Sequence, residues 1–193
     1  MTALQDQIAT ALALYESDDN LGALFDTLRA LAKTTEVDSL IQAAEAFRDR
    51  PAIVIPVYEH VIAQRPDDAR ALVTLANAYW LTGRGPDVVG ELASRARTAD
   101  PANRAAWHLW ALAESNVRSR VHRWRQVTER FPQDQLARAA LADNAAGLAG
   151  AEHDPLALDL AVATYEGLLE EAETPTQRRA LEQTLDTLRG WKL

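Results

Sequence analysis

The sequence predicts an all-α protein of stacked antiparallel helix pairs, and three observations carry that expectation. Ala and Leu abound in the 193 residues, while β-branched residues are sparse outside short patches such as Ile53-Val54-Ile55, a bias toward helix. A proline-bearing boundary recurs at Pro66, Pro101 and Pro132, 35 and 31 residues apart, and helix pairs at about this period mark a two-helix repeat unit. On either side of these boundaries apolar residues return at i, i+3, i+4 and i+7, the spacing of one helix face.

In chain order, Leu4, Ile8, Leu12 and Tyr15 define a first helix. Asp18-Asp19-Asn20 then offers capping oxygens for a second, which carries Leu21, Leu24, Phe25, Leu28 and Leu31. The unit over 36–66 has Leu40, Ala43, Ala44 and Phe47 on its first stripe and Val57, Tyr58, Val61 and Ile62 on its second. Pro56 leaves two starts open for that second helix. A start at Pro51 puts Pro56 beyond the first turn, where it should kink the helix, whereas a start near Val54 puts it within the tolerant first turn. The later start is the expected one.

The clearest unit covers 69–101. Leu72, Leu75, Ala76 and Tyr79 lie on one face, Gly83 and Gly85 break the helix, and Pro86 opens the next at its first turn. Val88, Val89, Leu92 and Ala96 form the second stripe. In the unit over 103–132, Trp107, Trp110, Ala111 and Glu114 take the first-helix places, and Val121, Trp124, Val127 and Phe131 the second. The unit over 134–175 is looser. Ala137, Ala140 and Leu141 mark one helix, and Leu160, Val162, Tyr165, Leu168 and Leu169 the next, with an expanded connection expected over Gly147–Pro155. After Thr174-Pro175, Leu181, Leu185, Leu188 and Trp191 line one face of a final helix whose other side is polar, as a terminal cap requires.

The places held by Leu72, Leu75, Ala76, Tyr79, Val88, Leu92 and Pro101 resemble the tetratricopeptide-repeat (TPR) pattern of large, leucine, small and aromatic positions before a closing proline. The small residue lets two helices approach while the larger ones fill the groove between neighbours. The resemblance extends over about 36–175. It implies an all-α, right-handed helical-repeat solenoid with capping helices at both ends. The expected layout is a single domain over 1–193. It comprises an N-terminal helix pair at 1–35, four TPR-like units at 36–66, 69–101, 103–132 and 134–175, and a cap at 176–193.

Composition narrows the function classes. A formal charge of −8 disfavours nucleic acid on average. From Arg95 to Arg138, however, nine arginines face four acids, a local excess of five positive charges that leaves −13 on the remainder. Cysteine is absent, which removes disulfides and thiolate chemistry. The start at Met1-Thr2-Ala3 has no basic leader, and no apolar run reaches membrane-spanning length, so the expectation is a cytoplasmic protein without a membrane partner.

Catalytic and cofactor motifs are not found. There is no Gly-x-Ser-x-Gly elbow. Gly83-Arg84-Gly85 lacks the later glycine and the Lys-Ser/Thr of a phosphate loop. His60, His108, His122 and His153 do not fall at metal-ligand spacing, and Glu152-His153-Asp154 reads as a solvated loop. The expectation is a non-enzymatic adaptor or scaffold with no cofactor and no metal.

The TPR resemblance further implies that first helices line a concave groove for protein or peptide partners. The residues between packing positions would then face it: Ile41, Glu45 and Arg48; Arg70, Val73, Asn77 and Trp80; and His108 and Leu112. Trp80 is left open between an exposed apolar anchor and burial against the adjacent unit. Asn77 is similar to the asparagine of the carboxylate clamp in some TPR proteins, but Val73 stands where the companion lysine belongs, so a clamp is not expected. Arg118, Arg120, Arg123 and Arg125, with Trp124, form the alternative patch. A solvated face is the first reading for these arginines, an acidic protein partner the second, and RNA the third. Self-association through the ends of the stack is also open.

Overall fold

The computed structural model describes residues 2–192, which form eleven α-helices and one 3-10 turn without β-strands. Met1, at the head of the expected leaderless N-terminus, and Leu193, the last residue of the expected cap, lie outside the described residues. The chain divides into two compact units, one ending at Leu109 and the other beginning at Trp110.

In the first unit, α1 (Ala3–Asp18) starts at a capping box. The Thr2 hydroxyl accepts from the Gln5 amide at 3.2 Å, and the Gln5 side chain accepts from the Thr2 amide at 2.8 Å. Asn20 caps α2 (Leu21–Thr34) by accepting from the Ala23 amide. Next come α3 (Val37–Ala44) with a 3-10 turn over Glu45–Phe47, α4 (Pro51–Gln64), α5 (Ala69–Leu81) and α6 (Pro86–Ala99). Helix α4 is the hub, packing on α2, α3 and α5. The α7 helix spans Arg104–Leu112. In the second unit, α8 (Val117–Arg130), α9 (Gln135–Glu152), α10 (Pro155–Glu170) and α11 (Pro175–Arg189) each pack on the helix before or after them.

The prolines sort by role. Pro51, Pro86, Pro155 and Pro175 each occupy the first position of a helix, where a missing N–H costs nothing. The recurring Pro66, Pro101 and Pro132 sit instead in one repeated turn. The residue two places on donates its amide back to the residue before the proline: Asp68 to Arg65, Asn103 to Asp100 and Asp134 to Phe131. Its side chain then accepts from the amide three residues further, at Ala71, Ala106 and Ala137, and so caps the next helix. The proline ends one pair and the Asp or Asn starts the next.

Pro56 departs from expectation. Helix α4 begins at Pro51, with the Ile53 and Val54 amides donating to the Arg50 carbonyl, and Pro56 is its sixth residue. The lost hydrogen bond and ring crowding cost about 3 kcal/mol. Ile53, Val54, Ile55, Val57, Tyr58 and Val61 are all at most 4% exposed. At about 1.5–3 kcal/mol per fully buried side chain, their burial outweighs that cost.

Three further expectations are corrected. The connection over Gly147–Pro155 is not expanded, because α9 continues through Glu152 and leaves only His153 and Asp154 between helices. Leu148 and Ala149 are buried there, and packing overrides the glycines. Glu114 lies beyond the end of α7 rather than on its packing face, and it is drawn away by Arg123 at 2.6 Å. Trp191 follows the end of α11, and its ring lies over Gly150 instead of continuing the helical stripe.

These backbones make opposite demands on two glycines. Gly147 is exposed inside α9 with open space where a Cβ would stand, whereas Gly83 ends α5 at φ +73°. The Gly83 and Arg84 amides return to the Trp80 and Tyr79 carbonyls there, a Schellman closure. Gly147→Ala should therefore stabilise the protein by about 0.5–1 kcal/mol, and Gly83→Ala should destabilise it by about 1 kcal/mol or more. Urea unfolding followed by circular dichroism measures both. No gain at position 147 would contradict a helical α9 in that stretch.

Candidate functional site

A groove of about 560 Å³ opens in the first unit between α3 and α5, with α4 as its floor. Five of the nine residues expected on the binding face line it: Ile41 from α3, Glu45 and Arg48 from the turn after it, and Arg70 and Val73 from α5. Asn77 and Trp80 lie one and two turns further along α5, both exposed, with Trp80 at 39%. His108 is half-buried on α7 and is not part of the lining, and Leu112, exposed at the end of α7, belongs to the second unit. Of the other tryptophans on α7, Trp110 is buried, while Trp107 is half-buried and donates its indole N–H to the Pro101 carbonyl.

The groove also takes in residues that periodicity had assigned to other roles. Tyr58 sits on the packing stripe of α4, only 4% exposed, yet lines the groove. Asp38, Arg65, Asp68, Thr74 and Asn103 line it as well. Asp68 and Asn103 belong to the repeated Pro-x-Asp/Asn turn, a signal visible in the sequence once the capping role is recognised.

Most charges here are already satisfied. Arg65 donates to Asp38 at 2.6 Å and stands 3.9 Å from Glu36. This hydrogen bond holds the Asp38 carboxyl below, and the Arg65 guanidinium above, their usual ranges. Arg48 pairs with Glu45 at 3.4 Å, and Asp68 is bound to the Ala71 amide. Arg70 is exposed and has no carboxylate within 4.0 Å among the described residues.

Behind the groove, α5 is keyed to α4 by the Tyr79 hydroxyl, which donates to Glu59 at 2.7 Å. Arg29 approaches the same carboxylate at 3.4 Å, and Arg84 lies over the Tyr79 ring at 4.6 Å. Burial, reinforced by the Glu59 hydrogen bond and charge, pushes the Tyr79 hydroxyl up to about 12. The second unit repeats the device, with Tyr165 on α10 donating to Asp143 on α9 and its hydroxyl likewise raised by burial and that bond.

The arginine-rich α8 is largely consumed internally. Arg118 bridges Glu152 at 2.5 Å and Asp154 at 2.9 Å, and those carboxylates raise its guanidinium further. Arg120 donates to Asn144 at 2.7 Å and to the Glu114 carbonyl at 2.9 Å. Arg123 donates to the Trp110 carbonyl at 2.7 Å, pairs with Glu114 and lies over the Trp110 ring at 4.6 Å. Of the four candidate arginines, only Arg125 is exposed and without an ion pair among the described residues. The triplet expected as a loop is thereby placed: Glu152 ends α9, His153 is left-handed at φ 53°, and Asp154 caps α10. No group of three or more His, Asp or Glu is arranged to hold a metal among the described residues.

No known protein-family profile matches this sequence, and no curated protein matches it. Solved structures do match in shape. One crystal structure of MamA aligns with a TM-score of 0.62 at 12% identity, covering 83% of this chain and 95% of that one. A second crystal structure of MamA protein aligns at 0.60 and 12%, covering 90% and 98%. TTC0263, described as a thermophilic TPR protein in Thermus thermophilus, aligns at 0.54 and 16%, covering 97% and 99%. The fold is TPR-like. At these identities the likeness speaks for the backbone alone. No helix among the described residues of this TPR-like chain is long and apolar enough to cross a membrane.

The Tyr79–Glu59 bond gives a pH signature with a definite sign. The hydroxyl ionises near pH 10 in the unfolded chain and near 12 in the folded one, so the folded state holds the extra proton between them. Its stabilisation is complete below pH 10 and is lost as the pH rises toward 12. Tyr79→Phe should thus be less stable than wild type at pH 8 and should lose less stability between pH 10 and 12, as read by urea melts at each pH. Parallel curves for the two proteins would refute the assignment.

Proposed function

We propose that this chain is a non-enzymatic adaptor that takes a protein or peptide segment on the α3–α5 groove and the adjoining face of α5. The observation that supports the reading best is the groove itself, an open cleft of about 560 Å³ on a TPR-like scaffold. Its walls mix apolar Ile41 and Val73 with charged Glu45, Arg48 and Arg70, the blend of a few polar handles on an apolar bed that recognises side chains. Further along α5, Asn77 and the 39% exposed Trp80 extend the surface with a polar group and an aromatic anchor.

Nucleic-acid binding through α8 is disfavoured by the same accounting. Three of its four candidate arginines are occupied by carboxylates, carbonyls or an amide within the second unit. A phosphate would have to displace partners already in place.

The paired change Trp80→Ala with Arg70→Glu tests the groove. Affinity capture from the source cell, quantified by mass spectrometry, should lose the principal partner of the wild-type chain. Loss of an anchor and reversal of a charge should weaken binding by about 30-fold or more. Unchanged recovery would remove the groove from the binding surface. The intact protein should also show no salt-sensitive binding to single-stranded RNA at about 50 mM salt. Tight binding that weakens steeply as salt rises would restore the basic-patch reading.

A further inference from the structure

The hydroxyl of Tyr58 has no hydrogen-bond partner among the described residues, although the residue is only 4% exposed and borders the groove. The hydroxyl itself is not sealed in the core but opens on the groove, where a ligand acceptor can take the place of water. Burial raises the hydroxyl above its usual value, with Glu45 adding to the shift and Arg48 and Arg70 opposing it. The group is therefore a standing donor at neutral pH, within electrostatic reach of two arginines.

The other lining groups leave a distinctive remainder. Asp38, Glu45 and Asp68 are taken by Arg65, Arg48 and the Ala71 amide respectively. The Asn103 carbonyl oxygen caps α7 by accepting from Ala106, which leaves its NH2 uncommitted. Beside these paired charges stand three donors with no partner of their own: the Arg70 guanidinium, the Tyr58 hydroxyl and the Asn103 amide. A set of donors that includes one cation matches an anionic acceptor, and charge-assisted bonds to a carboxylate are the stronger kind.

We propose that this groove takes an internal Glu or Asp side chain of a partner protein segment, its carboxylate held by Arg70, Tyr58 and Asn103. The proposal rests on the peptide-groove reading above and adds the chemistry of the partner. Ile41 and Val73 provide an apolar bed for the side chain's methylenes and its neighbours.

The experiment uses the intact 193-residue protein and a random peptide library with amidated C-termini, so that no chain-terminal carboxylate is available. Selected peptides should carry a Glu or Asp in common. Replacing that residue with Gln or Asn should weaken binding about tenfold or more, as should Tyr58→Phe or Arg70→Gln on the protein. The acid-to-amide change in the peptide leaves the protein's folding untouched, and the Arg70 site is exposed. Combined with Tyr58→Phe, the peptide change should cost less than it does against the wild-type protein, because one of the bonds it weakens is already gone. Selected peptides without an acidic residue, or full affinity after the amide replacement or in Tyr58→Phe, would overturn the proposal. In those cases Val73→Arg separates the two claims. If it abolishes binding, the groove stands and only the carboxylate assignment falls; if it has no effect, the groove reading falls as well.

Discussion

No helix of this chain can bury its apolar stripe alone, and α4 is where that constraint is most severe. Six of its apolar side chains are at most 4% exposed, because α2, α3 and α5 all pack against it. A helix covered on several sides has little remaining periodicity, so its sequence reads as a run, Ile53-Val54-Ile55-Pro56-Val57-Tyr58, rather than as a stripe. The same burial lets the helix tolerate Pro56. It also places Tyr58 at the floor of the groove, so the packing that stabilises the first unit sets the position of the group best suited to touch a ligand.

The connections between pairs are built as economically. At the start of α4, α6 and α10, a proline at the first helical position pre-sets φ and omits an N–H that would have had no partner. Between pairs, the proline moves into the turn and an Asp or Asn two residues on satisfies the opening amides. The two uses explain why the repeat is legible despite weak similarity between units. What recurs at Asp68, Asn103 and Asp134 is a hydrogen-bonding pattern, not a fixed sequence.

Much of the fold was legible because it depends on stripes and caps, which are local. The helix pairs over 69–101 and the Asn20 cap follow directly from residue spacing. The errors have a common cause in tertiary contacts that override local preference. Packing carries α9 through Gly147 and Gly150, burial stabilises α4 around Pro56, and Arg123 captures Glu114. The site was legible to the extent that it lies on the open face of α3 and α5, which yields Ile41, Glu45, Arg48, Arg70 and Val73. Tyr58 was not, because a position on a packing stripe gives no hint that its distal hydroxyl clears the core. Long amphipathic side chains divide their atoms between two environments, and one-letter periodicity assigns them to only one.

Charge counts are the least reliable guide to what this surface binds. The richest concentration of arginine, on α8, is mostly spent on joining helices of the second unit. By contrast, the groove's six charged lining residues sum to zero, and Arg70 is the one without an ionic partner or a capping role. Nor does the overall charge of −8 oppose a carboxylate there. At physiological ionic strength the screening length is about 8 Å, so distant acids are largely invisible to a group seated between Arg70 and Tyr58. The decisive quantity is the set of donors left unmatched within that distance. Counting partners, rather than charges, therefore favours a groove that composition marks as neutral over the most basic helix.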